Sequence, residues 1–255
     1  MVFFTKKNTY SPKAIACVVH EIGKRQAQQD RWGLQIGETL SNDALAVVAD
    51  GMGGLIHSDL VSQKLVDSFM EGYALGGNLS GKEQLFMLLK KAIDDVSEMM
   101  KESRYDSGST LVGAIIKNQK LSWISVGDSR IYLWRSGGII QLNRDHDFRR
   151  DLSSVILSSH VTFEDVEKNP QKDSLTSFIG VNFPRLIDYN ENSIQLIKGD
   201  KVILMSDGIY RCLSEDELCE LLKYPVKEVS GIIKNRIVCK DIEAQDNYTA
   251  IVIEI

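Results

Sequence analysis

The run TLVGAIIKNQKLSWISVGDSRIYLWRSGGIIQL, residues 110–142, decides the fold. It divides into four short β-rich pieces, Thr110–Lys117, Lys120–Val126, Arg130–Trp134 and Gly138–Leu142. Between them lie Asn118-Gln119, Gly127-Asp128 and Ser136-Gly137, which read as tight hairpin turns and make neighbouring pieces antiparallel. Successive strand residues point to opposite faces, and here both faces are apolar: Leu121 and Trp123 on one, Ile124 and Val126 on the other. A strand that is apolar on both faces is covered on both faces, so sheet or helix must pack on either side.

Upstream, strand-like segments run over Ala14–Val19, Arg31–Ile36 and Leu45–Ala49. Two helices follow, one with Val61, Leu65, Phe69 and Tyr73 on a single face, the other with Leu85, Leu89, Ala92, Val96 and Met100. Ser80 and Glu83 form a capping box before the second. Downstream, residues 145–192 are polar and irregular except for a short helix after Thr162, and the segment is long enough to read as a functional flap. Strands return at Ser193–Ile197 and Val202–Met205, followed by two helices, the first capped by Ser214 with Glu217, and a last strand at Tyr248–Ile253. Hairpin-joined strands with helices in consecutive pairs predict an antiparallel α+β layering rather than a βαβ fold. No repeat or low-complexity linker interrupts the chain, so residues 1–255 read as one domain.

Hydrophobic content of 43% and charged content of 25% allow a sizeable core. A formal net charge of −5 argues against nucleic-acid and membrane-surface partners, which favour a basic excess. No run is long enough to span a bilayer, and the N-terminus lacks the order of a secretory signal, which predicts a cytoplasmic protein. Cys17, Cys212, Cys219 and Cys239 have no C-x-x-C pairing and read as reduced, mostly buried thiols.

The chemistry lies where the apolar runs stop. Leu45–Ala49 ends at Asp50-Gly51, Val202–Ser206 ends at Asp207-Gly208, Asp246-Asn247 opens the last strand, Asp30 opens an early one, and Asp128 sits at an expected hairpin tip. One Asp-Gly is ordinary turn chemistry. Five carboxylates at one rim are different, because they stay ionised together only when a cation neutralises them. Oxygen ligands without histidine or thiolate select magnesium, manganese or calcium.

Ordered blocks along the chain carry a resemblance: Gly23-Lys-Arg25-Gln-Ala-Gln-Gln-Asp30, Ala49-Asp50-Gly-Met-Gly-Gly54, Gly108-Ser-Thr110, Val126-Gly-Asp128-Ser-Arg130, Asp145-His146, Leu175–Gly180, Ser206-Asp207-Gly208 and Asp246-Asn247-Tyr-Thr249. Together, from about residue 13 to 254, they resemble the metal-dependent type 2C (PPM) protein serine/threonine phosphatases, in their compact bacterial form. The resemblance implies a four-layer α-β-β-α sandwich and two magnesium or manganese ions. By position, Asp50 bridges them with the Gly51 carbonyl on one, Asp207 and Asp246 hold the first, and Asp30 supports the second partly through water. Asp128, with Asp207, would bind a third, and Arg25 would clamp the substrate phosphate. The partners implied are phosphoserine and phosphothreonine proteins, substrates of a cognate kinase, acted on by a monomer.

Three positions depart from that pattern. Gln29 stands where Glu is frequent, Leu55 where a proton-donating His follows Gly-Met-Gly-Gly, and Ser58-Asp59 where Gly-Glu is usual. His57, two residues beyond Leu55, reads as solvent-exposed, and His20, His146 and His160 as surface or turn residues. The alternatives are a catalytically weak relative that binds phosphoproteins and another two-metal phosphoryl-transfer enzyme, such as a nuclease.

Overall fold

The computed structural model describes residues 14–37, 43–52, 57–103, 107–156, 162–180 and 182–255, without the side chains of 153–156. Two antiparallel sheets stack face to face. One has the order β1(Ile15–Glu21), β11(Tyr248–Glu254), β10(Lys201–Met205), β6(Arg130–Arg135), β7(Gly138–Gln141). The other runs β2(Asp30–Ile36), β3(Ala44–Asp50), β4(Leu111–Lys117), β5(Lys120–Val126), β8(Asp188–Tyr189), with β9(Ile194–Gln195) also paired to β5. Helices α1(Ser58–Tyr73) and α2(Gly81–Ser103) cover the outer face of the second sheet. Helices α6(Glu215–Leu221) and α7(Val226–Lys240) cover the first. The expected four-layer α+β sandwich is what forms.

The period-two pattern explains the layering. On β3, Leu45, Val47 and Ala49 face the α1–α2 core, while Ala44, Ala46 and Val48 face the other sheet. On β5 the same division puts Ile124 and Val126 under the helices and Leu121 and Trp123 between the sheets. Burying each large aliphatic side chain contributes about 1.5–3 kcal/mol, so the register of these central strands is strongly set. That register fixes which strand ends reach the rim.

One connection differs from expectation. Asn118-Gln119 and Ser136-Gly137 are hairpin turns, but Gly127-Asp128 is not, because β5 and β6 belong to different sheets. The chain crosses the sandwich there, with Gly127 at φ +100° and a Cβ at that position only 2.7 Å from Thr110 Cβ. Short polar spacers look alike whether the next strand pairs or crosses over.

The 145–192 segment is more regular than its composition suggests. Besides α4(Phe163–Lys168), capped by Thr162 and Asp165 as a capping box, it holds α3(Phe148–Ile156). Asp147 accepts from the Arg150 amide at 2.9 Å and starts α3. The capping boxes of Ser80 with Glu83 and Ser214 with Glu217 form as read, and a short α5(Asp207–Tyr210) precedes the latter. Only Cys212 of the four cysteines is buried. Among the described residues no helix is long and apolar enough to cross a membrane.

Candidate active site

Five chain segments meet at one rim of the sandwich. Asp30 opens β2 and Asp50 closes β3, and the two are direct cross-strand partners. Asp207 follows β10 as the first residue of α5, Asp246 lies just before β11, and Asp128 sits at the crossover from β5 to β6. The cleft between them has a volume of about 420 Å³ and is lined by Asp50, Gly51, Asp128, Asp207, Asp246 and Arg211, with flap residues such as Asp173 opposite.

Asp30 is 1% exposed. Its Oδ2 accepts from Ser206 Oγ and Thr249 Oγ1, both at 2.7 Å, while its Oδ1 is buried without a partner. Burial pushes its carboxyl up to about 6 against those hydroxyl donors. Asp50 lies within hydrogen-bond reach of both Asp30 and Asp207. Burial first, then the charges of Asp30, Asp207, Asp128 and Asp246, hold it well above the usual carboxylate range. Asp207 is raised to about 6 by burial, opposed by Arg211, and Asp128 to about 7 by burial and Asp207.

Two guanidinium groups lie among these acids. Arg211 Nε is 2.9 Å from Asp207, and its Nη2 is 3.6 Å from Asp128. Arg25 Nη2 is 2.6 Å from Asp246 Oδ2. The loop bearing Arg25 is fastened to the Asp246 segment from below. Gly23 adopts φ +62°, where a Cβ would lie 2.2 Å from the Asp246 carbonyl, and the Lys24 amide donates to Gln245 O. Asn247 completes the stitch: its Nδ2 donates to the Ile22 and Ala27 carbonyls, and its Oδ1 accepts from the Gln29 amide at 2.7 Å.

The donor set fits a hard divalent cation. All of its side-chain donors are carboxylate oxygens, burial and then mutual repulsion leave several above their usual range, and Asp30 Oδ1 has no partner among the described residues. Among the described residues no three such groups converge on one point as they stand, and Arg25 and Arg211 supply the positive charge instead. Of the departing positions, Leu55 lies outside the described residues. Gln29 Nε2 donates to Ser58 Oγ, an interaction that ties β2 to the start of α1. His57 caps α1 in left-handed backbone, φ 68°.

Comparison with known proteins gives this geometry a context. A family model described as Protein phosphatase 2C matches residues 19–230. The chain belongs to the protein phosphatase 2C family. A serine/threonine phosphatase stp of Listeria monocytogenes is 27% identical over 238 residues, 90% of this chain and 91% of its own. Protein phosphatase PhpP of Streptococcus pneumoniae is 28% identical over 183 residues, 70% of this chain and 72% of its own. In fold, the chain resembles the S. agalactiae serine/threonine phosphatase with a TM-score of 0.79 at 22% identity, covering 95% of this chain and 99% of that one. It also resembles the catalytic domain of the phosphatase PstP in complex with two manganese ions, TM-score 0.73 at 21% identity, covering 94% and 97%.

Several residues around the phosphatase cleft had no clear signal in the sequence. His20 Nδ1 is 2.9 Å from Thr249 Oγ1, which donates to Asp30, so a ring N–H backs the chain His20–Thr249–Asp30. His146 is 4% exposed rather than on the surface: its Nδ1 accepts from the Gly127 amide at 3.1 Å and anchors the crossover. Tyr210 stands beside Asp128, and its ring carries Arg130 at 3.7 Å, itself paired with Asp145 at 2.6 Å. Arg211 had one available signal, four residues after Asp207 on one helical turn.

Proposed function

We propose that this phosphatase hydrolyses phosphoserine and phosphothreonine in proteins, with water attacking phosphorus in line and no covalent enzyme intermediate. Asp30, Asp50, the Gly51 carbonyl, Asp207 and Asp246 would hold two magnesium or manganese ions, and Asp128 with Asp207 a third. When bound, such ions acidify water and neutralise charge on the transferring phosphoryl group, both of which a slow phosphomonoester requires.

The protein's own groups do the rest. Asp50, between Asp30 and Asp207, would share its oxygens with both neighbouring positions. Ser206 and Thr249 hold one Asp30 oxygen and leave the other open for water or cation. Arg25, half-exposed on a loop anchored by Asn247, has the reach to release Asp246 and donate two hydrogen bonds to phosphate oxygens. Arg211 balances Asp207 and Asp128.

The observation that carries this reading is the meeting of Asp50, Asp128, Asp207 and Asp246 from separate chain segments in one cleft of a protein phosphatase 2C fold, with buried Asp30 directly across from Asp50. The test is phosphate release from a phosphothreonine peptide with manganese, with magnesium and with chelator. Metal-dependent release that chelator stops is expected; release that survives chelation would sink the two-metal assignment.

A further inference from the structure

A second pocket lies at the opposite end of the β2–β5 sheet. Strand β4 starts beside the aspartate cleft and runs seven residues to Lys117, a distance of about 20 Å at strand rise. The pocket there, about 430 Å³, is lined by Ser80, Gly81, Lys82, Lys117, Lys120 and Ser122, among others. It is open to the first turn of α2, a 23-residue helix whose leading amides carry positive partial charge. The Glu83 amide is satisfied by Ser80 Oγ, while those of Gly81 and Lys82 have no partner among the described residues.

Ser122 is a second and independent sign. Ser122 is 5% exposed, and its hydroxyl has no hydrogen-bond partner among the described residues. A Cβ on Gly81 would stand 2.8 Å from Ser122 Oγ, so the hydroxyl aims at the helix start and into the pocket that both residues line. The hydroxyl therefore offers both a donor and an acceptor to whatever enters the pocket.

The charges agree. Lys117 and Lys120 face each other directly across the β4–β5 hairpin, a like-charge pair. Lys117 Nζ donates to the Gly77 and Leu79 carbonyls, and Lys82 pairs with Glu191, whose side chain is 70% exposed and displaceable. Glu83 is turned to the Ser80 amide, and Asp43 to the Asn118 amide. Once Glu191, which also lines the pocket, swings aside, Lys82 and Lys120, two amides and a hydroxyl exceed what a singly charged carboxylate can satisfy, and Lys117 adds positive charge while held by its carbonyls. They suit a dianion with three terminal oxygens, and the volume leaves room for the group that carries it.

We propose that this pocket binds a phosphate monoester, at a site separate from the aspartate cleft. The site stands on its own residues and does not depend on the roles given to the aspartates. The experiment uses metal-stripped full-length protein, whose acidic cleft repels anions, titrated with inorganic phosphate and O-phosphoserine by ³¹P NMR and thermal shift. Saturable binding is expected. It should weaken roughly 3–10-fold in Ser122→Ala, the loss of one hydrogen bond, and further in Lys82→Ala/Lys120→Ala. Gly81→Ala, whose methyl would stand 2.8 Å from Ser122 Oγ, should weaken it further by crowding the pocket, with a melting temperature equal to or below wild type because Ser122 must shift. Turnover of p-nitrophenyl phosphate by metal-loaded Gly81→Ala should match wild type. A phosphoserine peptide that binds more tightly than O-phosphoserine assigns the site to phosphoproteins; equal binding assigns it to small phosphomonoesters. Absent saturation, binding indifferent to Gly81→Ala, or altered turnover in that variant would overturn the proposal.

Discussion

The two ends of strands β3, β4 and β5 are built from the same pleat and carry opposite charge. At one end stand Asp50 and, just past β5, Asp128, joined by Asp207, by Asp246 and, across from Asp50, by buried Asp30. At the other stand Lys117 and Lys120 beside the first turn of α2. The acidic end is deep, and its carboxyls are pushed up by burial and by one another. The basic end is shallow, with long lysines on an exposed hairpin. Buried charge of one sign is costly and demands a counterion, whereas exposed charge of one sign is screened and only biases what approaches.

The largest test of that contrast is Asp246→Ala. It should lower turnover by about 1,000-fold or more, since the charge stabilisation at stake is several kcal/mol. Thermal stability without metal should hold or rise, because one of the repelling charges is gone. Full activity in the purified variant would break the assignment of the acidic end. Arg25→Ala comes next, with kcat/KM expected to fall on the order of 10–100-fold, the worth of a charge-assisted hydrogen bond. An unchanged kcat/KM would remove Arg25 from phosphate binding.

The pH dependence of metal-stripped protein sharpens the same contrast. Asp30 and Asp207 are raised to about 6 and Asp128 to about 7, against 3.8 for a free aspartate. A folded value above the unfolded one means the native state holds its protons more tightly. Their contribution to stability is therefore present at low pH and lost as pH rises through about 6 to 7. In chelator, the melting temperature should fall from pH 5 to pH 8; Asp128→Asn should flatten the fall, and magnesium should offset it. Identical curves with and without metal would count against a cation at this cleft. The smallest effect is at the basic end: Lys120→Glu turns a like-charge cross-strand pair into an opposite one and should stabilise by about 0.2–1 kcal/mol. A destabilised variant would show that the hairpin lysines are not in conflict.

Much of the layering was legible because it follows from period and punctuation. Alternation on β5 set two buried faces, and the 3.6-residue stripes of α1 and α2 set the helix pair, since both patterns are local consequences of backbone geometry. The capping boxes at Ser80 and Ser214 were legible for the same reason, and so was the short helix after Thr162, though not its box with Asp165. The polar flap hid α3, a nine-residue helix too short for the long apolar recurrence that marked α1 and α2. Arg149 is held by Glu167 and Asp173 within the flap, pairs of long sequence separation that no local pattern reveals.

The sequence by itself determined that acids end the apolar runs and that a helix begins at Gly81. It could not determine that Gly127-Asp128 leaves one sheet for the other, which is what carries Asp128 to Arg211 and Tyr210. Nor could it show that His20 stands behind Thr249, 229 residues away, or that Ser122 points its hydroxyl at Gly81. Strand register and helix phase are decided by neighbours a few residues apart. Which strand ends meet is decided by how two sheets bury their inner faces, and only the folded sandwich settles that.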